Sequence, residues 1–155
     1  MSRSCTYWKT YAAAIIALLV SLSSAMAGSF DGNWGVSIAC AATSDGAKSY
    51  SWQFPATIKN GVVSGQYRSP GATPSGTLTG RVSENGDGSL QMRGIAGDSE
   101  YTVGRKGGVP FRYTVRAHFS GGSGSGNRVE QRSCSMSLSR SLLPVRAFMH
   151  GGFAQ

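Results

Sequence analysis

The sequence predicts an all-β fold: a small antiparallel β-barrel of seven or eight strands, or a two-sheet β-sandwich, closed by one disulfide. Three observations carry this expectation. Apolar and polar residues alternate through most of residues 28–140, which is the period of a half-buried strand. Twenty-two glycines, with many serines and threonines, cut the alternating runs into short pieces, as turns do in antiparallel domains. Once an export segment is set aside, two cysteines remain, Cys40 and Cys134, near the two ends of the patterned region.

The export segment comes first in the chain. Arg3 and Lys9 flank the start of a mostly apolar, alanine-rich run over residues 11–22, and Ala25-Met26-Ala27 supplies the small residues a signal peptidase requires. The expected organisation is a signal peptide over 1–27, cleaved after Ala27, a single β-domain over 28–140 and a flexible C-terminal tail over 141–155. An apolar run of about 12 residues is short of the roughly 20 that span a bilayer, so no transmembrane segment is expected in the mature chain. Cys5 precedes the run and is not placed to become a lipidated first residue. The expected location is periplasmic or extracellular. The mature chain of 128 residues suits one domain and carries 13 Lys and Arg against 7 Asp and Glu, a net charge of +6. Such a balance suits anionic partners, or serves solubility alone.

Export places Cys40 and Cys134 in an oxidising compartment, where a single bridge is the economical reading. Two free thiols and a metal site are the alternatives. Ligation would want more than His118 and His150 nearby, so neither a metal nor a cofactor is expected. A bridge between the first and last strands favours the barrel, because closure brings those strands together and removes the sheet edges.

The elements follow in order. In Gly32-Asn33-Trp34-Gly35-Val36-Ser37-Ile38-Ala39-Cys40, residues Trp34, Val36, Ile38 and Cys40 share one face, giving a first strand. Residues 43–48 form a polar loop. Tyr50, Trp52, Phe54, Ala56 and Ile58 then share a face, and Pro55, which cannot donate to a ladder, predicts an edge or a bulge there. Asn60-Gly61 predicts a tight hairpin turn into residues 62–68. After a loop with Pro70 and Pro74, residues 77–83 and 89–95 make a second hairpin around 84–88. Residues 97–110 are irregular, with a short strand expected at Tyr101 and Val103. Phe111, Tyr113, Val115, Ala117 and Phe119 alternate through a long strand. The glycine and serine run at 121–126 reads as a mobile loop, and the last strand spans residues 128–139, with a bulge where Val129 falls out of phase with Cys134, Met136 and Leu138.

Gly32-Asn33-Trp34 resembles the Gly-x-Trp that opens the first strand of calycin barrels, the lipocalin and avidin group, and of the small barrels of secreted bacterial protease inhibitors. The resemblance implies that Trp34 plugs one end of the barrel. It extends to no other lipocalin motif, so it implies no ligand residues. Over residues 30–138 the chain also resembles small uncharacterised exported proteins of soil alphaproteobacteria, with a Phe-Asp-Gly-x-Trp opening and a late cysteine. That resemblance implies no activity.

The sequence holds no Gly-x-Ser-x-Gly elbow, His-Glu-x-x-His pair or phosphate loop, and no enzyme is expected. Asp98 and Glu100 are the one carboxylate pair worth weighing, and loop solvation explains them. His118 lies in the outward phase beside Arg116. Arg112, Arg116, Arg128 and Arg132 are expected together on an outer face as a candidate anionic docking patch, although cross-strand pairing accounts for them equally. Trp52, Phe54, Tyr113 and Phe119 are the candidate wall of an internal cavity. The leading expectation is a binding protein whose surface engages a protein or an anionic envelope polymer, without specific nucleic-acid binding, since the aromatics point inward. A carrier of a small apolar ligand is the alternative, and a small hydrolase or protease inhibitor stands third. A barrel this narrow tends to fill itself with side chains, which favours the surface.

Overall fold

The computed structural model describes residues 29–141; the expected signal peptide and the tail from residue 142 lie outside the described residues. Eight antiparallel strands close into a barrel in simple up-and-down order. They are β1 (Gly32–Cys40), β2 (Tyr50–Lys59), β3 (Val62–Tyr67), β4 (Ser75–Val82), β5 (Asp87–Ile95), β6 (Pro110–Ser120), β7 (Ser123–Arg128) and β8 (Cys134–Ser141). The barrel, not the sandwich, is therefore the fold. β8 pairs with β1 from Asn33↔Ser141 to Cys40↔Cys134, and the cysteine pair at the end of that register is disulfide-bonded. No helix among the described residues is long and apolar enough to cross a membrane.

Alternation places Trp34, Val36, Ile38, Leu78, Leu90, Met92, Val115 and Leu138 inside, each almost wholly buried. One end of the barrel is shut. Trp34 meets Phe119 edge to face at 5.4 Å, Phe30 leans on Phe119 at 5.7 Å, and Trp34 Nε1 donates to Phe30 O at 2.9 Å. Arg140 lies over the Trp34 ring at 5.4 Å and donates to Ser29 O, sealing the same end. Trp34, 1% exposed, and Phe119 fill this end between them. The Asn60-Gly61 turn, with φ of 51° and 70°, sits at this end, and the Asp31 carboxylate accepts both of its backbone N–H groups. Positive φ at consecutive positions is what a tight hairpin turn requires, and Asn and Gly tolerate it best.

Three expectations need correction. The run at 121–126 is not a mobile loop: Gly121 and Gly122 turn the chain, and β7 then pairs with both neighbours. Its signal is invisible to apolar periodicity because its inner positions are glycines. A Cβ on Gly124 would lie 3.0 Å from the Phe119 ring, and one on Gly126 2.7 Å from Arg116 O, so a side chain at either position would have to displace its neighbours. The last strand accordingly begins at Cys134, and Val129, 54% exposed, belongs to the connection and makes no bulge. Tyr101 and Val103 lie in two short 3-10 turns rather than a strand.

Pro55 marks a local opening of the wall. β2 keeps its full register with β1, Gly35↔Pro55 included, but pairs with β3 only from Ala56↔Gly65 to Lys59↔Val62. Residues 50–55 therefore form a free edge, as expected of a strand containing proline. Across the gap the rings of Trp52 and Tyr67 stack at 4.6 Å and 11°.

Candidate functional site

The other end of the barrel is open. Here β1 ends at Cys40, β2 begins at Tyr50, β3 ends at Tyr67, β6 begins at Pro110 and β7 ends at Arg128. Inward alternation delivers Tyr50, Trp52, Tyr67, Phe111 and Tyr113 to this mouth, where they enclose a cavity of about 530 Å³. The rings form a connected wall: Tyr50 to Trp52 at 5.1 Å, Trp52 to Phe111 at 5.9 Å, and Phe111 stacked on Tyr113 at 5.7 Å and 17°. Inward glycines on facing strands leave room for these bulky residues; a Cβ on Gly76 would meet Met92 and, at 3.3 Å, the Trp52 ring.

Two loops make the rim, and their polar groups bind each other. In residues 41–49, the Asp45 carboxylate accepts from Gly104 N at 2.6 Å, Lys48 N donates to Glu100 O at 2.7 Å, and Lys48 Nζ meets Glu100 Oε2 at 2.7 Å. Arg105 Nη1 donates back to Gly46 O at 2.9 Å. The Thr43 hydroxyl, then the Gly104 N–H, hold the Asp45 carboxyl below its ordinary range, and Lys48 does the same for Glu100.

Arg132 fastens this rim to the barrel. Its guanidinium is buried and donates to Ala41 O at 2.6 Å, Tyr101 O at 2.7 Å and Lys48 O, while its plane lies over Tyr50 at 4.8 Å. Burial lowers its affinity for its proton, and no carboxylate forms an ion pair with it among the described residues. Arg128 enters the same cavity from the end of β7 and lies 4.3 Å over the Tyr113 ring. Two donors here have no hydrogen-bond partner among the described residues, Tyr113 Oη and Arg128 Nε, both buried. Burial pushes the Tyr113 hydroxyl well above the ordinary tyrosine range and raises that of Tyr50.

The sequence-based candidates divide across the molecule. Trp52 and Tyr113 line the cavity. Phe54 instead borders an open groove of about 980 Å³ along the β2–β3 gap, and Phe119 packs under Trp34 at the shut end. Tyr50, Tyr67 and Phe111 complete the wall; none of the three is among the sequence-based candidates, although all stand in the inward phase of their strands. The four-arginine outer patch does not form. Arg128 is the register partner of Val115, an inward residue, and Arg132 is buried under the rim, whereas Arg116 faces outward and Arg112 stands exposed where the wall meets the mouth. The reason is the register of β7: once Gly124 and Gly126 take the inner phase, Arg128 must follow them.

Asp98 lies exposed at the mouth, and Glu100 is tied to Lys48, so the two do not make a carboxylate pair. His118 faces outward and meets Asp87 at 3.0 Å. No group of three or more metal-ligating side chains occurs among the described residues. Comparison of the chain with protein-family models, with curated proteins and with solved structures found no match.

Proposed function

We propose that this chain is an exported, non-enzymatic barrel that binds a small molecule with an apolar body in its open end. The observation that carries the reading is the aromatic-walled cavity of about 530 Å³ beneath a stapled rim, within the roughly 300–1,000 Å³ range of small-molecule sites. A barrel this narrow tends to fill itself with side chains, and they fill this one at its shut end and through its middle while leaving the cavity at the open mouth. The mouth is also apolar: of five large hydrophobic residues exposed among the described ones, Tyr101, Val103 and Val109 border the cavity and Val129 lies on the adjoining connection. An apolar solute entering there exchanges water for ring surface at roughly 25 cal/mol per Å² buried.

The neutral dye N-phenyl-1-naphthylamine tests this reading. Saturable binding at one dye per barrel, weakened by Trp52→Leu and untouched by Lys59→Gln at the shut end, supports it. Absence of saturable binding, together with a native mass lacking any small adduct in protein recovered from its host, refutes it.

A second reading keeps the outer surface. On the outside of β4–β6 stand Arg81, Arg93, Arg112 and Arg116, with Arg93 and Arg112 directly opposite each other. Like charges in register repel, and an anionic polymer lying across them relieves that repulsion. Asp87 and Glu130 are the acids nearby. Heparin binding that falls steeply with salt and is lost in Arg93→Gln/Arg112→Gln favours this surface; retention by the double variant removes it.

A further inference from the structure

Resting on the cavity reading, we propose that Arg128 and Tyr113 form an anion-binding subsite, so that the ligand is a flat apolar molecule bearing a carboxylate. Tyr113 is 2% exposed and Arg128 half-buried, and each places a buried donor without a protein acceptor at the cavity wall. A buried donor left unpaired costs about 1–3 kcal/mol, more when charged, and native interiors rarely leave two side by side. Stacking on Tyr113 at 4.3 Å holds the Arg128 guanidinium in place, which reduces the entropy lost when it takes an acceptor.

The surrounding charges favour an anion. Arg112, Arg128 and Arg132 border the cavity against one acid, Asp98, which is exposed at the mouth. Arg132 has committed three of its five N–H groups, one on each guanidinium nitrogen, to backbone carbonyls, so its contribution is chiefly positive potential. Glu130, the acid closest in sequence to Arg128, accepts from Thr114 N at 2.8 Å. A carboxylate seated here takes the Tyr113 O–H and the Arg128 Nε–H as charge-assisted hydrogen bonds, which are the strong kind. The rest of the molecule lies against the Trp52 and Phe111 rings, which stand 5.9 Å apart and favour a planar body over a flexible chain.

The test compares two dyes sharing one ring skeleton: anionic 1-anilinonaphthalene-8-sulfonate and neutral N-phenyl-1-naphthylamine. The native protein is expected to hold the sulfonate about ten- to a hundredfold more tightly. Arg128→Gln abolishes that preference and Tyr113→Phe reduces it several-fold, while binding of the neutral dye changes by less than about threefold and so reports an intact cavity. 2-Naphthoate displaces the sulfonate dye and decanoate does so at least about tenfold less well. Equal affinity for the two dyes, or a preference surviving Arg128→Gln, overturns the subsite while leaving the cavity standing. Equal displacement by decanoate overturns the flat body. Failure of both dyes to bind overturns this proposal, and together with a native mass lacking any small adduct it overturns the cavity reading as well.

Discussion

Replacing Arg132 by methionine keeps the apolar stem of the side chain and removes the group that fastens the rim. Three guanidinium hydrogen bonds to backbone carbonyls are lost, to Ala41, Lys48 and Tyr101. At about 1.5 kcal/mol for each charge-assisted bond, the gross loss is roughly 4–5 kcal/mol. Two effects offset it: a buried cation without a carboxylate partner no longer has to be desolvated, and carbonyls near the mouth recover some water, together returning about 2 kcal/mol. The net expectation is a loss of about 2–3 kcal/mol, or roughly 8–12 °C in melting temperature for a domain of this size. Urea unfolding with an unchanged slope measures the first quantity. Amide exchange localises it: residues 41–49 and 98–105 should exchange faster while the amides of β1, β5 and β6 keep their rank. A destabilisation below about 0.5 kcal/mol, or faster exchange spread evenly over the barrel, refutes the idea that Arg132 holds these loops.

Four other outcomes are expected. Cys40→Ala/Cys134→Ala opens a loop spanning a sequence separation of 94 and should cost between about 2 and 4.7 kcal/mol on the chain-entropy account, read from urea midpoints with and without reductant. Trp34→Phe loses the 2.9 Å bond to Phe30 O and ring volume at the shut end; about 1–3 kcal/mol of stability should go, with neutral-dye affinity unchanged. Gly94→Ala places a Cβ 1.9 Å from Ser75 O, between β4 and β5, and should cost more than about 3 kcal/mol or prevent soluble expression. The carboxyls of Asp45, Glu100 and Glu130 titrate below their ordinary values, chiefly through the Thr43 hydroxyl, Lys48 and the Thr114 N–H respectively. Their folded affinity for protons is thus lower than the unfolded one, so their stabilisation is complete above the ordinary carboxylate range and is lost progressively as pH falls from that range through the lower folded values. Urea midpoints should drop on acidification below about pH 4.5, and Glu130→Gln should flatten that limb.

Most of the barrel was legible because most strands write their inner face in side chains. β1, β2 and β6 carry apolar residues at every second position, and the Asn60-Gly61 turn states its own geometry. β7 writes its inner face in glycine, so its strand character lies in the space its neighbours fill, information held by Phe119 and Ala117 rather than by β7 itself. Missing that strand also put Arg128 on the wrong face, because phase was counted from an incorrect start. The cavity was half legible: Trp52 and Tyr113 were readable from phase, but which inward residues stand at the open end and which at the shut end depends on register around the whole closed sheet. The role of Arg132 had no local signal at all, since its three acceptors lie on segments up to 91 residues away.

An eight-stranded barrel is only just wide enough for side chains to fill, so space at one end has to come from somewhere. Small inner residues supply part of it, Gly76 beside Trp52 among them, although the mouth carries five inward aromatic rings. The wall supplies the rest. Pro55 cannot continue a ladder, and β2 and β3 part beyond Ala56↔Gly65. What closes the gap is the stack of Trp52 on Tyr67, a contact between rings where neighbouring strands would ordinarily share backbone hydrogen bonds. Backbone ladders are indifferent to the side chains they connect, whereas a ring stack is side chain alone. The boundary between the cavity and the groove along the β2–β3 gap therefore rests on the identity of two residues, and the open end can change its shape or access by substitution at Trp52 or Tyr67 while the shut end, built on Trp34, Phe119 and a complete ladder, continues to hold the fold.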